Sequence, residues 1–157
     1  MSEGALKETK SPTGVSVPVH LLRELPGGDE ADTDHARESA AGQLRESGKI
    51  LCARCRCEIS RSAWIAAIDP HPARRVVSNP AGVLFELLTV TDAWGLVLVG
   101  APSTEFSWFD GTQWTVACCG GCGAHLGWYF DGTGHSTPVS FFGLIVSAVI
   151  EEPGASN

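Results

Sequence analysis

Apolar and polar positions follow two regimes along this chain, and they meet near Gly48. Before it, the only apolar patch is Val15, Val17, Val19, Leu21 and Leu22, and residues 33–47 have helical composition without an apolar face. A helix with no face to bury is marginal in water. After it, short apolar runs alternate with turn signals. Residues 49–55 predict a short strand entering a Cys-x-x-Cys turn, and residues 58–68 alternate loosely until Asp69-Pro-His-Pro72, where two prolines forbid regular pairing. Val76-Val77 predicts a strand ending in the turn Asn79-Pro-Ala-Gly82, and residues 83–91 and 96–99, rich in β-branched and large apolar side chains, predict two more. Asp110-Gly111 between aromatic and β-branched residues predicts a hairpin that brings Trp108 and Trp114 together across the turn, because the turn that matches strand twist needs positive φ. Trp128-Tyr-Phe130 resumes a strand, residues 131–134 turn, and residues 141–150 close the domain as a buried strand, although a continuous apolar run fits a helix equally well. The predicted class is all-β.

Composition sharpens the boundary. Residues 1–48 hold no Trp, Tyr or Phe and set nine acidic residues against five basic ones, so they lack the apolar surface that would offset the entropy of ordering them. The expected organisation is a disordered acidic leader at 1–48, one folded domain at 49–152 and a tail at 153–157. The last basic residue is Arg75, and residues 76–157 carry seven acidic side chains. Without cations to displace counterions from phosphate, that half of the chain is unsuited to nucleic acid or anionic membranes. No secretory pattern opens the chain, and the apolar run at 141–150 is half of a membrane span, so a soluble, cytoplasmic protein is expected.

In a reducing compartment, Cys52-x-x-Cys55 and Cys119-x-x-Cys122 read as four thiolate ligands of a structural zinc that joins segments 63 residues apart. A redox dithiol and chance spacing are the alternatives. Cys57 and Cys118 are then spare, and His125, three residues past Cys122, reads better as a backbone-bonded histidine than as a ligand. Trp108, Trp114 and Trp128 fall within 21 residues around the second Cys pair. They are either ordinary core or the walls of an aromatic cage, since indole faces attract flat or cationic groups. Trp64 and Trp94, isolated in sequence, fit plain core.

The series Ser107-Trp-Phe…Gly111…Trp114-Thr…Cys119-x-x-Cys122…His125-x-Gly-Trp128 resembles the thalidomide-binding domain of the cereblon family, the CULT domain, in particular its small single-domain bacterial members. Leu51-Cys-Ala-Arg-Cys55, Asn79-Pro-Ala-Gly82, Leu96-Val-Leu-Val-Gly-Ala-Pro-Ser103 and Phe141-Phe-Gly-Leu144 match in order, so the likeness spans about 50–150. It implies two antiparallel sheets at a steep angle, the β-tent, pinned by a zinc on Cys52, Cys55, Cys119 and Cys122. It also implies a cage of Trp108, Trp114 and Trp128 for a cyclic imide such as glutarimide, with Phe130 closing the floor and Asn79 and Pro80 at the rim. The imide N–H would bond the backbone carbonyl of Phe106, where cereblon has His, and the imide oxygens would bond at Trp108. The implied ligands are glutarimide-type drugs, C-terminal cyclic imides on damaged proteins and uridine-like pyrimidines. The Lon-like region and adaptor-binding helices of cereblon have no counterpart in the sequence, so no ubiquitin-ligase adaptor is expected.

The expected function is a non-enzymatic binding module. Two alternatives remain. One is a methylammonium cage drawing negative charge from Glu105 or Asp110. The other is an enzyme like the zinc-bearing methionine sulfoxide reductases, which would require a reactive thiol at Cys57 or Cys118, although Cys118 lies in a segment without cations to activate it.

Overall fold

A computed structural model of the chain describes residues 41–43, 46–133 and 140–154. Most of the predicted leader, including the Val15 to Leu22 patch, and the last three residues of the predicted tail lie outside the described residues. Among the described residues nine strands form two antiparallel sheets: β1 (Lys49–Cys52), β2 (Glu58–Arg61) and β9 (Val149–Glu152) in the order β2-β1-β9, and β3 (Arg74–Ser78), β4 (Leu84–Val90), β5 (Leu96–Ser103), β6 (Thr112–Cys119), β7 (His125–Gly132) and β8 (Phe141–Ile145) in the order β3-β4-β8-β7-β6-β5. No helix among the described residues is long and apolar enough to cross a membrane.

The centre of the larger sheet, at β4, β8 and β7, is buried on both faces by different partners. On one face Leu88, Val90, Leu126, Leu144 and Cys119 pack against Ile50, Cys52, Ile59 and Val149 of the smaller sheet. On the other, Val77, Leu87, Trp128, Phe130, Phe141 and Ile145 form a second core with Phe109, which reaches in from the 104–111 loop and is 2% exposed. Strict alternation cannot deliver this, because Leu126, Trp128 and Phe130 are two residues apart yet serve different cores. The resolution is a bulge. Ala117 pairs with Gly127 but Cys118 pairs with His125, so one residue of β7 is extra and the side-chain parity flips there. Gly127 takes φ 148°, and its Cα faces the carbonyl of Gly143 on β8 so closely that a Cβ would lie 2.0 Å from that oxygen.

Two sequence expectations need correction. Asp110-Gly111 is not the tip of a hairpin between strands bearing Trp108 and Trp114: β6 pairs with β5, with Ser103 opposite Trp114, and residues 104–111 are the connecting loop. Gly111 does take positive φ (71°), but to turn that loop into β6, where its carbonyl accepts the Thr133 N–H at 2.9 Å. Nor is the 141–150 run one strand. It is β8, a 3₁₀ turn at Val146–Ala148, and β9, so it leaves the larger sheet and enters the smaller one. Continuous hydrophobicity there records burial between two sheets. β5 also extends through Gly100-Ala-Pro-Ser103, beyond the predicted 96–99.

Gly127→Ala should therefore be among the most damaging single methyl additions in this domain. With backbone on both sides of the clash, the two strands must separate, and a loss of more than about 3 kcal/mol is expected. Thermal unfolding checks it; a Tm within a few degrees of wild type would refute the account of the bulge.

Candidate functional site

Two knuckles of the same construction bring four cysteines together. In the first, the Cys52 N–H donates to the Cys57 carbonyl at 2.9 Å and the Cys52 carbonyl accepts from the Arg56 N–H at 2.9 Å. In the second, the Cys119 N–H donates to the Ala124 carbonyl at 2.8 Å and the Cys119 carbonyl accepts from the Gly123 N–H at 2.7 Å. The residue after each second cysteine has positive φ, Arg56 at 65° and Gly123 at 70°. These turns close the ends of β1 and β6, one in each sheet, so the cluster bridges the two sheets.

The four sulfurs lie within 4.8 Å of one another, with Cys52 to Cys122 at 3.7 Å and Cys55 to Cys119 at 3.5 Å. That is far too long for disulfides, and all six cysteines are free. Burial opposes ionisation of Cys119, but the backbone N–H groups of Gly121 and Cys122 and the neighbouring thiols draw it down to about 7. Cys55 moves the other way: the Cys57 backbone N–H favours its thiolate, yet desolvation and the crowding thiols of Cys57, Cys119 and Cys122 push it up. One thiol thus ionises at the expense of its neighbours, as expected where four sulfurs share a space suited to a cation. The group is a candidate metal centre. His125 is not part of it. Its Nε2 lies 3.0 Å from the Gly127 carbonyl and its ring meets the edge of Trp128 at 4.8 Å.

On the opposite face of β6 and β7 is a cavity of about 310 Å³ lined by Asn79, Pro80, Phe106, Trp108, Trp114 and Trp128. Trp114 and Trp128 face the same side because Val116, two residues from Trp114, pairs with Trp128. Trp108 comes from the loop and meets Trp128 edge to face at 4.8 Å. Its indole N–H donates to the Ser78 carbonyl at 2.7 Å, tying the loop to the 79–82 turn. Trp114 is fixed in the same way, donating to the Glu105 carbonyl at 2.8 Å. The rim turn is held by Asn79, whose Oδ1 accepts the Val83 N–H at 2.9 Å while Gly82 takes φ 80°. Phe106 sits at φ 56° with 71% of its surface exposed, an uncommon conformation for a bulky residue and a hint of local constraint.

Six of the seven residues assigned to the cage in the sequence thus surround one cavity, and Phe130 does not line it. Phe130 is fully buried behind Trp108, 6.4 Å away, stacked on Phe141 at 5.2 Å. Neither Glu105 nor Asp110 lines the cavity; Asp110 borders a different hollow beside His71. Of the other tryptophans, Trp64 and Trp94 pair edge to face at 5.0 Å, and Trp94 remains 37% exposed rather than core.

Sequence reasoning misses two supports. Phe85 braces the tryptophans from β4, 5.2 Å from Trp128 and 6.2 Å from Trp108. Phe109 plugs the core beneath them, and Thr112 bonds its carbonyl through Oγ1 at 2.7 Å, fixing the loop that carries Trp108. A Phe next to a motif tryptophan looks like a second wall, and only the contacts show that it points inward.

No protein-family model matches the chain. It is 40% identical over 109 residues to Protein cereblon of Gallus gallus, covering 68% of this chain and 24% of that protein. The Xenopus tropicalis protein of the same name is 49% identical over 109 residues, 66% of this chain and 24% of its own length. Protein cereblon of Drosophila yakuba is 33% identical over 109 residues, 68% of this chain and 18% of its own. The chain thus spans about a quarter or less of the length of these curated relatives. With the predicted all-β architecture, the four-cysteine cluster and the aromatic cavity in the same chain, this similarity makes it a member of the cereblon (CULT) domain family.

Proposed function

We propose that this chain is a non-enzymatic binding module whose tri-tryptophan cavity accepts a cyclic imide, on a fold clamped by structural zinc. The observation that carries the ligand reading is the cavity itself: three indoles around about 310 Å³ without a charged group on its wall. That volume is at the small end for ligand sites and suits a single ring. Two of the indole N–H groups are already engaged by the backbone at Ser78 and Glu105. The indoles therefore present chiefly their faces, and a ligand with apolar ring carbons gains dispersion against them. Its polar edge must find backbone groups instead. An imide, with one N–H between two carbonyls, has that edge, and the 104–111 loop at Phe106 and Trp108 is the backbone within reach. A methylammonium ligand would lack a carboxylate on the wall.

The zinc reading rests on the donor set. Tetrahedral zinc with Zn–S bonds of about 2.3 Å requires sulfurs roughly 3.8 Å apart. The separations of 3.5 and 3.7 Å match that spacing. Four thiolates complete the shell, so such a metal would hold Cys52, Cys55, Cys119 and Cys122 together without activating water.

Titration with glutarimide should quench tryptophan fluorescence and saturate, while the N-methylated imide should have little effect. Equal responses to both would remove the donor bond, and no response to either would remove the cage. Trp114→Ala should weaken imide binding at least about tenfold, or roughly 1.4 kcal/mol, with metal content unchanged, because the indole faces away from the cysteines.

Elemental analysis of the purified chain should give one zinc per molecule. Cys119→Ser should lose most of that zinc and lower stability by at least about 3 kcal/mol, a Tm drop of roughly 12 °C or more for a domain this size. Wild-type stability without metal would sink the structural role.

A further inference from the structure

Cys57 has no place in the four-sulfur cluster, yet it lies against it. It is exposed. Gly121, inside the second knuckle, marks how close it comes. A Cβ built there would lie 2.8 Å from the Cys57 sulfur, 3.6 Å from that of Cys55 and 3.7 Å from that of Cys119. The absence of a side chain at 121 therefore leaves the space that the fifth thiol occupies. Cys118, the other spare cysteine, is on the opposite face of β6 from Cys119 and pairs with His125.

Arg56 is left-handed at φ 65°, which folds the chain instead of extending it. Helical geometry of either hand projects side chains two apart to opposite sides, so it is the shared hollow at Gly121, against which both sulfurs lie, that brings the Cys55 and Cys57 thiols together. Cys55 and Cys122 are partly buried, whereas Cys52 and Cys119 are buried. Of the two accessible ligands, Cys55 is the one whose sulfur lies with that of Cys57 against Gly121.

We propose that Cys57 is a peroxide-reactive thiol that opens the metal centre by forming a disulfide with Cys55, an inference that rests on the zinc reading above. A peroxide gives one oxygen to the Cys57 sulfur as its O–O bond breaks, leaving a sulfenic acid and water (or an alcohol from an alkyl peroxide). The Cys55 sulfur then attacks the Cys57 sulfur. The S–S bond forms, the S–O bond breaks, and the departing hydroxide takes a proton and leaves as water. Two thiols have been oxidised and one peroxide reduced. Zinc loses one of its four ligands, and the bridge between β1 and β6 is released. A dithiol reverses the step by exchange and restores Cys55 to the metal.

The full-length chain, loaded with zinc and analysed for metal first, is treated with hydrogen peroxide while a chromophoric chelator reports free zinc. Zinc should be released together with a Cys55–Cys57 linkage. Trypsin resolves that linkage, because cleavage after Arg54 and Arg56 leaves Cys55-Arg56 joined to residues 57–61. Dithiothreitol should remove the linkage and let zinc rebind. Cys57→Ser should slow release at least about tenfold, while Cys118→Ser should leave the rate unchanged. Release from Cys57→Ser at the wild-type rate, or release without the Cys55–Cys57 linkage, overturns this proposal alone. A chain that takes up no zinc before peroxide is added overturns the zinc reading and this proposal with it.

Discussion

Burial on both faces is the constraint from which the rest of this structure follows. A strand alternates its side chains between faces, so one that serves two cores in strict register must give each core every second residue. β7 departs from this at one point. Leu126 belongs to the core under the smaller sheet and Trp128 to the core under the loop, and both positions are even. The extra residue at Leu126–Gly127 changes the parity, and Gly127 is what lets the bulged backbone approach Gly143. Gly143 in turn pairs with Trp128, and its missing side chain leaves space for Phe130, whose ring would be 3.0 Å from a Cβ there. One bulge and two glycines thus set which side of the sheet the aromatic wall occupies.

The same parity separates the two chemical features. Trp114 and Cys119 are on one strand, five residues apart, which is about 17 Å of extended chain on opposite sides of the sheet. The cluster of cysteines acts where β1 and β6 end, and the cavity opens where the 79–82 turn and the 104–111 loop meet. Removing a wall of one need not disturb the donors of the other. Losing the bridge between sheets is different, because it would loosen the strand on which Trp114 stands. The independence runs in one direction only.

Much of this was legible in the sequence because the signals were local. Strand runs, the two knuckles and the turn at Asn79 depend on neighbours within a few residues, and the cysteine spacing carried the cluster across 63 residues because paired Cys-x-x-Cys turns are a recurrent thiolate ligand set. What depended on distant packing was not legible. Asp110-Gly111 carries a true turn signal, yet nothing local says that β6 will pair with β5 rather than with the residues just before it. Hydrophobicity at 141–150 records burial but not the change of sheet at Val146–Ala148. Phe130 and Phe109 illustrate the same gap at the site. Both lie beside motif tryptophans, and both face inward, because the register of β7 with β8 and the bonds of Thr112 decide their direction.

The cavity also shows why its tryptophans need not collapse into core. An indole with an unsatisfied N–H would turn toward whatever carbonyl or water it could find. Here Trp108 and Trp114 are each held by a carbonyl from outside the cavity, at Ser78 and Glu105, while Trp128 is wedged between Phe85 and the ring of His125. Closing the gap would break two exposed hydrogen bonds, each worth roughly 0.5–1.5 kcal/mol net. Trp108 and Trp128 already meet edge to face, so collapse would add contact chiefly at Trp114. Pre-organisation therefore comes from the backbone on either side, and the strained φ at Phe106 lies within the same short segment that supplies one of those two carbonyls.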